Sequence, residues 1–257
     1  MSESLKAKTV KGVGWSFADN LANSGITFLV GLVLARLLTP SEYGMLATIM
    51  IFIAVANSIV DSGFSNALIR KIDARSVDYN TVFYFNLVVS VLLYGLLYIG
   101  APWISDFFHE PLLVDVTRVV GVVLLINALA IIQRTLFVRD IDFKTQTKVS
   151  LIASLSSGAV GIGMAYGGYG VWSLGGQQIV RQLMNTVFLW LSSKWRPAWE
   201  FSRESFRELF AFGSKLMVSG LIDTIWKNIY YFVIGRFYTT ATLGQYTRAE
   251  QFNTIFS

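Results

Sequence analysis

Cysteine is absent from the 257 residues, which excludes a disulfide framework and any thiolate metal site. Histidine occurs once, at His109, which removes most imidazole chemistry. Charge is scarce: 14% of residues are Asp, Glu, Lys or Arg, against about 25% in average soluble domains. No Walker loop, HExxH or GxSxG is present, so the sequence points away from an enzyme, and neither a metal nor a cofactor is expected. In place of these stands apolar surface. Hydrophobic residues make up 54% of the chain, and 19 Phe, 11 Tyr and 7 Trp suit the aromatic belts of a bilayer protein.

A spanning helix needs roughly 20 mostly apolar residues. Runs of that kind predict helices over 13–38, 43–66, 81–103, 112–137, 149–166, 171–191 and 211–238, with an eighth opening near Leu243 and still running at Ser257. The third is expected to end at Pro102. The predicted fold is all-α and polytopic. A six-helix N-terminal transmembrane lobe (1–200) is followed by an amphipathic interfacial linker (201–210) and the start of a second transmembrane lobe (211–257), which would make the chain a portion of a longer one. Within the linker, Ser205-Phe206-Arg207-Glu208 fits a capping box; an ordinary polar connection is the alternative. Lys6, Lys8 and Lys11 precede a run that is too long for a signal peptide, contains Asp19, Asn20 and Asn23, and lacks a small-residue cleavage site. An uncleaved first helix is expected.

Basic residues cluster on alternate connections. Lys6, Lys8 and Lys11 lie in the N-terminal tail, and Arg70, Lys71 and Arg75 follow the second helix. Arg134, Arg139, Lys144 and Lys148 are assigned to the fourth-to-fifth connection and the end of the helix before it, and Lys194, Arg196, Arg203, Arg207 and Lys215 to the sixth-to-seventh. These are most of the 21 basic residues. The opposite connections hold little beyond Arg36 and Arg236, and one carries Asp106, Glu110 and Asp115. Positive charge marks the cytoplasmic side, so the N-terminus is expected there. The net charge of +5 thus reads as orientation, and no nucleic-acid partner is expected.

The corner Ala35-Arg36-Leu37-Leu38-Thr39-Pro40-Ser41-Glu42-Tyr43-Gly44 recurs as Gly235-Arg236-Phe237-Tyr238-Thr239-Thr240-Ala241-Thr242-Leu243-Gly244, at an offset of 200 residues. Leu21 and Leu221, Asn23 and Asp223, and Leu34 and Ile234 share that register. Repeated bundles of this sort enclose binding sites in membrane transporters.

Polar groups inside spans are costly and face a protein interior or a wet cavity. The first helix carries Ser16, Asp19, Asn20, Asn23 and Thr27 on one stripe, suited to a hydrated cavity or to helix–helix hydrogen bonding. Gln177, Arg181 and Asn185 form one face of the sixth helix. Arg181 stays charged and suits either a phosphate or a structural pair with Asp19 or Asp61. Asn57 and Asp61 are four apart on the second helix, as are Asp223 and Lys227 on the seventh. The latter pair reads either as self-neutralising or as an anion contact beside a proton-linked acid. Arg248 is placed deep enough to reach a cavity. Ser150, Ser154, Ser157, Gly158, Gly161 and Ala165 form a close-packing face on the fifth helix.

Leu34-Ala-Arg-Leu-Leu-Thr-Pro-Ser-Glu-Tyr-Gly44, Asp61-Ser-Gly-Phe-Ser-Asn-Ala-Leu-Ile-Arg70, Arg139-Asp-Ile-Asp-Phe-Lys144, Gly167-Gly-Tyr-Gly-Val-Trp-Ser-Leu174 and Leu243-Gly-Gln-Tyr-Thr-Arg-Ala-Glu-Gln251 together resemble the polysaccharide transporter (Wzx-like flippase) family. That family falls within the multidrug/oligosaccharidyl-lipid/polysaccharide exporter superfamily. The resemblance implies two helical lobes around a cavity opened alternately to each side. It implies export of an undecaprenyl-diphosphate-linked oligosaccharide across a bacterial inner membrane, among that membrane's lipids and beside a polysaccharide polymerase and export machinery.

On this reading Arg181, Lys227 and Arg248 are candidates for phosphate contact. Gln177, Asn185, Asn20 and Asn23 are candidates for sugar hydroxyls, and Asp19 and Asp223 for ion coupling. The rivals are a multidrug or small-molecule antiporter of the same superfamily, a membrane glycosyltransferase or polymerase, and a non-transporting membrane scaffold. An antiporter for amphipathic cations predicts an acidic cavity.

Overall fold

The computed structural model describes residues 5–61 and 63–256, with the side chains of residues 12, 14–61 and 63–251. The side chains of Lys6, Lys8 and Lys11, and all of Ser62 and Ser257, lie outside the described residues. The chain forms α1 (Leu5–Leu37), α2 (Pro40–Asp61), α3 (Phe64–Arg70), α4 (Ser76–Phe108), α5 (Leu113–Val120), α6 (Val123–Arg139), α7 (Phe143–Tyr166), α8 (Val171–Ser192), α9 (Arg203–Phe237) and α10 (Thr240–Phe256). No strand occurs among the described residues. Six helical stretches are long and apolar enough to cross a membrane: 14–37, 40–70, 76–108, 113–139, 143–166 and 203–237. At 22 residues and about 1.5 Å per residue, α8 has crossing length too, but its polar face makes it less apolar. The protein is an all-α, multi-pass membrane protein.

Several expected helix ends move, each for a local reason. The third predicted helix does not stop at Pro102, which lies inside α4. Proline cannot donate to the carbonyl four residues back, here that of Tyr98. Arg118 Nε donates to that carbonyl at 3.4 Å, and its guanidinium lies 4.5 Å from the Tyr98 ring centre. Conversely, the fourth predicted helix is broken. Gly121 and Val122 separate α5 from α6 through three-residue turns, with Leu124 N donating to Gly121 O at 3.0 Å. The second ends at Asp61, and Gly63 takes a left-handed φ of 68° before α3 starts.

At the far end of the chain, the stretch expected as a separate amphipathic linker is the opening of α9. Its cap is Ser202, which accepts from Ser205 N at 3.2 Å, so the capping residue lies one turn earlier than Ser205.

The repeated corner folds twice in the same way. Thr39 caps α2, with Thr39 N donating to Glu42 Oε2 at 2.6 Å and Glu42 N to Thr39 Oγ1 at 3.4 Å. Pro40 occupies the first helical position, where its missing N–H costs nothing. Thr239 caps α10, accepting from Thr242 N at 3.2 Å. The two helices then cross at Gly44 and Gly244. A Cβ on Gly44 would meet Thr240 O at 1.9 Å, and one on Gly244 would meet Pro40 O at 1.7 Å. Side chains lock the same end. Ser41 Oγ and Thr240 Oγ1 share a hydrogen bond of 2.9 Å, and Thr240 Oγ1 donates to Glu110 Oε1 at 2.9 Å. Arg236 Nη1 meets His109 Nε2 at 3.1 Å.

The opposite end, where most basic residues gather, is held by aromatic packing. Phe64, fully buried, lies 5.1 Å from Phe85, 6.0 Å from Phe206 and 6.1 Å from Phe210, centre to centre. These rings seat the start of α9 on α3 and α4. A Cβ on Gly63 would meet Gly213 O at 2.5 Å, so the two backbones touch there. Lys71 Nζ completes the joint, bonding Glu208 Oε2 at 2.8 Å and Asp78 Oδ1 at 3.3 Å. Burial opposes its charge, but these two carboxylates hold its pKa above the ordinary lysine value.

Candidate functional site

α7 positions α1 and α8 through its small residues. Gly158 lets Val30 of α1 approach to 2.6 Å of where a Cβ would stand, and Gly161 faces Gln177 of α8 at 3.1 Å. Close approach of backbones is what small residues give a membrane interface. Asn23 is drawn into the same seam. Its amide donates to Asp19 Oδ1 at 2.6 Å and to Ser150 Oγ at 2.8 Å, and its carbonyl accepts from Ser154 Oγ.

Between α1, α2, α8, α9 and α10 lies a cavity of about 320 Å³. Its polar lining comprises Thr27, Tyr43, Gln177, Gln178, Arg181, Asn228, Tyr231, Thr247 and Gln251. Arg181, half-buried, is the charge on this wall; no carboxylate lines it among the described residues. Asp19 lies near enough to act on Arg181 electrostatically. The chamber ends under the glycine crossing. Arg248 Nη2 donates to Leu38 O at 2.6 Å, and its guanidinium lies 4.4 Å from the Tyr43 ring centre. It lines a recess beside the chamber that shares Thr27, Gly31, Tyr43 and Gln251 with it.

A second cavity, of about 520 Å³, lies toward the basic end between α2, α3, α6 and α9. Asn57, Asp61, Asn66, Asn127, Arg134, Asp223 and Thr224 supply much of its polar surface. A hydrogen-bond chain ties its rim to α8: Gln182 Nε2 donates to Asn127 Oδ1 at 3.0 Å, and Asn127 Nδ2 to Asn57 Oδ1 at 2.8 Å. A smaller polar cavity of about 130 Å³ is lined by Asp19, Arg134, Gln146, Ser150, Asn185 and Leu189.

The candidates from sequence thus divide. Arg181 and Gln177 share the first cavity, with Arg248 beside it. Asp19 and Asn185 share the small one, and Asp223 lines the basic-end cavity. Lys227 is 70% exposed and paired with Asp223 Oδ2 at 2.7 Å. Asn20 is exposed, and Asn23 spends its amide on the α1–α7 seam. Arg134 and Asn127 went unread: Arg134 stands among the basic residues after the fourth helix, and Asn127 is a lone polar residue in an apolar run. Reading α6 through to Arg139 would have placed Arg134 more than a turn inside the helix.

Known proteins bear on this arrangement. The chain is 26% identical to the teichuronic acid biosynthesis protein TuaB of Bacillus subtilis (strain 168) over 98% of its own length and 53% of the relative's. It is 25% identical to the succinoglycan biosynthesis transport protein ExoT of Rhizobium meliloti (strain 1021), over 99% of its own length and 52% of that protein. To the lipopolysaccharide biosynthesis protein WzxC of Escherichia coli (strain K12) it is 22% identical, over 96% of its own length and 50% of that protein. The chain therefore spans about half the length of the curated relatives it matches.

In three dimensions it resembles an inward-facing multidrug resistance MATE family transporter of the MOP superfamily. The TM-score is 0.54 at 18% identity, covering 92% of this chain and 57% of that one, a likeness of fold. Residues 33–257 match the family described as polysaccharide biosynthesis protein, and the chain belongs to that family.

Proposed function

We propose that the protein flips an undecaprenyl-diphosphate-linked oligosaccharide across a bacterial inner membrane by alternating access, and that the arrangement described here is the state open toward the cytoplasm. The observation that carries this reading is the first cavity: hydroxyls and amides fit for sugar surround the Arg181 guanidinium, and among the described residues an acid behind the wall, Glu250, is engaged by the Tyr231 hydroxyl. A diphosphate is costly in hydrocarbon, and a planar fork of five N–H donors offsets that cost by bidentate bonding. Gln177, Arg181 and Arg248 then contact the headgroup and first sugars, while the lipid chain stays in the bilayer.

The glycine crossing closes the end away from the basic residues, and positive charge marks the cytoplasmic side. Movement of cargo therefore requires α2 and α10 to part. Asp19 and Asp223 are the acids within reach of coupling to an ion gradient. The polysaccharide polymerase and export machinery would receive the cargo on the far side. A cation antiporter is a poorer fit, because among the described residues the charged side chain lining the first cavity is that of Arg181.

The test is flipping of lipid-linked oligosaccharide in vesicles holding the complete protein and its Arg181→Ala variant. Loss of flipping in the variant is the expected result. Equal flipping in both removes Arg181, and with it this account of the cavity.

A further inference from the structure

Arg134 occupies an unusual position. It projects from α6 more than a turn before the helix ends, and it borders two cavities at once, the basic-end one and the small polar one. It is half-buried. Among the described residues no hydrogen bond engages its guanidinium; Asp61 of α2 lines the same cavity and lies within electrostatic reach of it. Five N–H donors in a fixed fork without protein acceptors need water or a ligand, since leaving them unpaired in the interior is expensive. Asp61, for its part, accepts from Ser65 Oγ at 2.5 Å. Asp223, the other acid of the cavity, is already matched by Lys227. Asp223 is therefore already paired, whereas Arg134 and Asp61 line the same cavity without a salt bridge between them.

We propose that Arg134 is an anion site for a diphosphate entering from the basic end, and that Asp61 competes with the anion for it. The lipid-linked nature of that diphosphate rests on the flippase reading above; the site itself does not. Farther in, Arg181 lines the first cavity within electrostatic reach of Asp19, and Asp19 lines the small cavity together with Arg134. Cation and carboxylate thus alternate, from Arg181 through Asp19 and Arg134 to Asp61. An anion moving inward exchanges one guanidinium for the next, and each carboxylate sets how tightly it is held. Weak, repeated sites suit a carrier, which must release what it binds.

Binding to the complete protein in nanodiscs provides the test, with three probes: undecaprenyl diphosphate, inorganic pyrophosphate and uncharged undecaprenol. Arg134→Gln is expected to weaken diphosphate binding about tenfold or more, without changing undecaprenol. Asp61→Asn keeps the side-chain shape but removes the competing charge, and is expected to tighten diphosphate binding. A merely structural Asp61 predicts the reverse, so this variant decides even if Arg134→Gln folds poorly, which thermal unfolding reports. Unchanged binding in the first variant, or unchanged or weaker binding in the second, overturns the site. Binding of undecaprenyl diphosphate but not pyrophosphate assigns the lipid-linked source. Binding of pyrophosphate alone keeps the anion site and counts against the flippase reading.

Discussion

Gly44 and Gly244 lie back to back, each filling the space where the other's helix would need room for a side chain. A Cβ on Gly44 would come 3.2 Å from Gly244 N, and one on Gly244 would come 3.0 Å from Gly44 N. Each would also run into a carbonyl oxygen of the other corner. The reciprocity is that of a two-fold axis between α2 and α10, and the two residues hold matching places in the repeated segment.

Any side chain at this crossing should hold the sealed end apart. Overpacking costs about 1–3 kcal/mol, enough to shift a two-state balance by roughly 5- to 160-fold. These 257 residues contribute no native cysteine to the measurement. Ser41→Cys with Thr240→Cys is expected to cross-link on oxidation, because the native oxygens lie 2.9 Å apart. Adding Gly44→Val should abolish that cross-link while leaving the protein folded.

Asp223, at the basic-end cavity, and Lys227 form a solvent-exposed pair one turn apart on α9. Removing one partner leaves a lone charge, and removing both does not. Thermal unfolding in detergent should therefore place Asp223→Asn and Lys227→Gln each below the double variant. Additive losses would mean that the pair is not coupled.

Phe64 anchors the aromatic seat of α9. Its replacement by Ala opens a cavity beneath Phe85, Phe206 and Phe210 and should cost about 3–5 kcal/mol. Phe107→Ala, at a side chain 40% exposed, should cost less. The difference is read from the shift in thermal midpoint.

Lys71 gives the seat a pH limit. Its pKa is raised, so its contribution is complete below the ordinary value of 10.5 and fades as pH climbs through the higher folded value. Stability should therefore be insensitive to this residue from neutral to mildly alkaline pH and fall above that window. Lys71→Met should remove that alkaline fall, as followed by thermal unfolding across a pH series.

The sequence carried the helices and the repeat well, because spans of hydrocarbon width and a shared register of Arg, Thr and Gly are one-dimensional signals. It carried less about where helices stop. Pro102 reads as a terminator until Arg118, sixteen residues on, supplies the missing donor. Gly121 reads as interior until its neighbours turn. The polar interior was legible as residue type and stripe, which brought out Arg181, Gln177 and Asn185. It was not legible as assembly. Whether a lysine such as Lys227 faces a chamber or its own helix neighbour depends on packing between elements far apart in the chain, as does the placing of Arg134 between two cavities.

The crossing of α2 and α10 has one more implication. It is made by main chain against main chain, and peptide groups are the same whatever sequence surrounds them. A contact of that composition does not depend on which side chains line the chamber beside it. Thr27, Gln178 or Thr247 can be exchanged for other polar residues while the crossing stays in place, so long as two hydrogen atoms remain where side chains would otherwise begin.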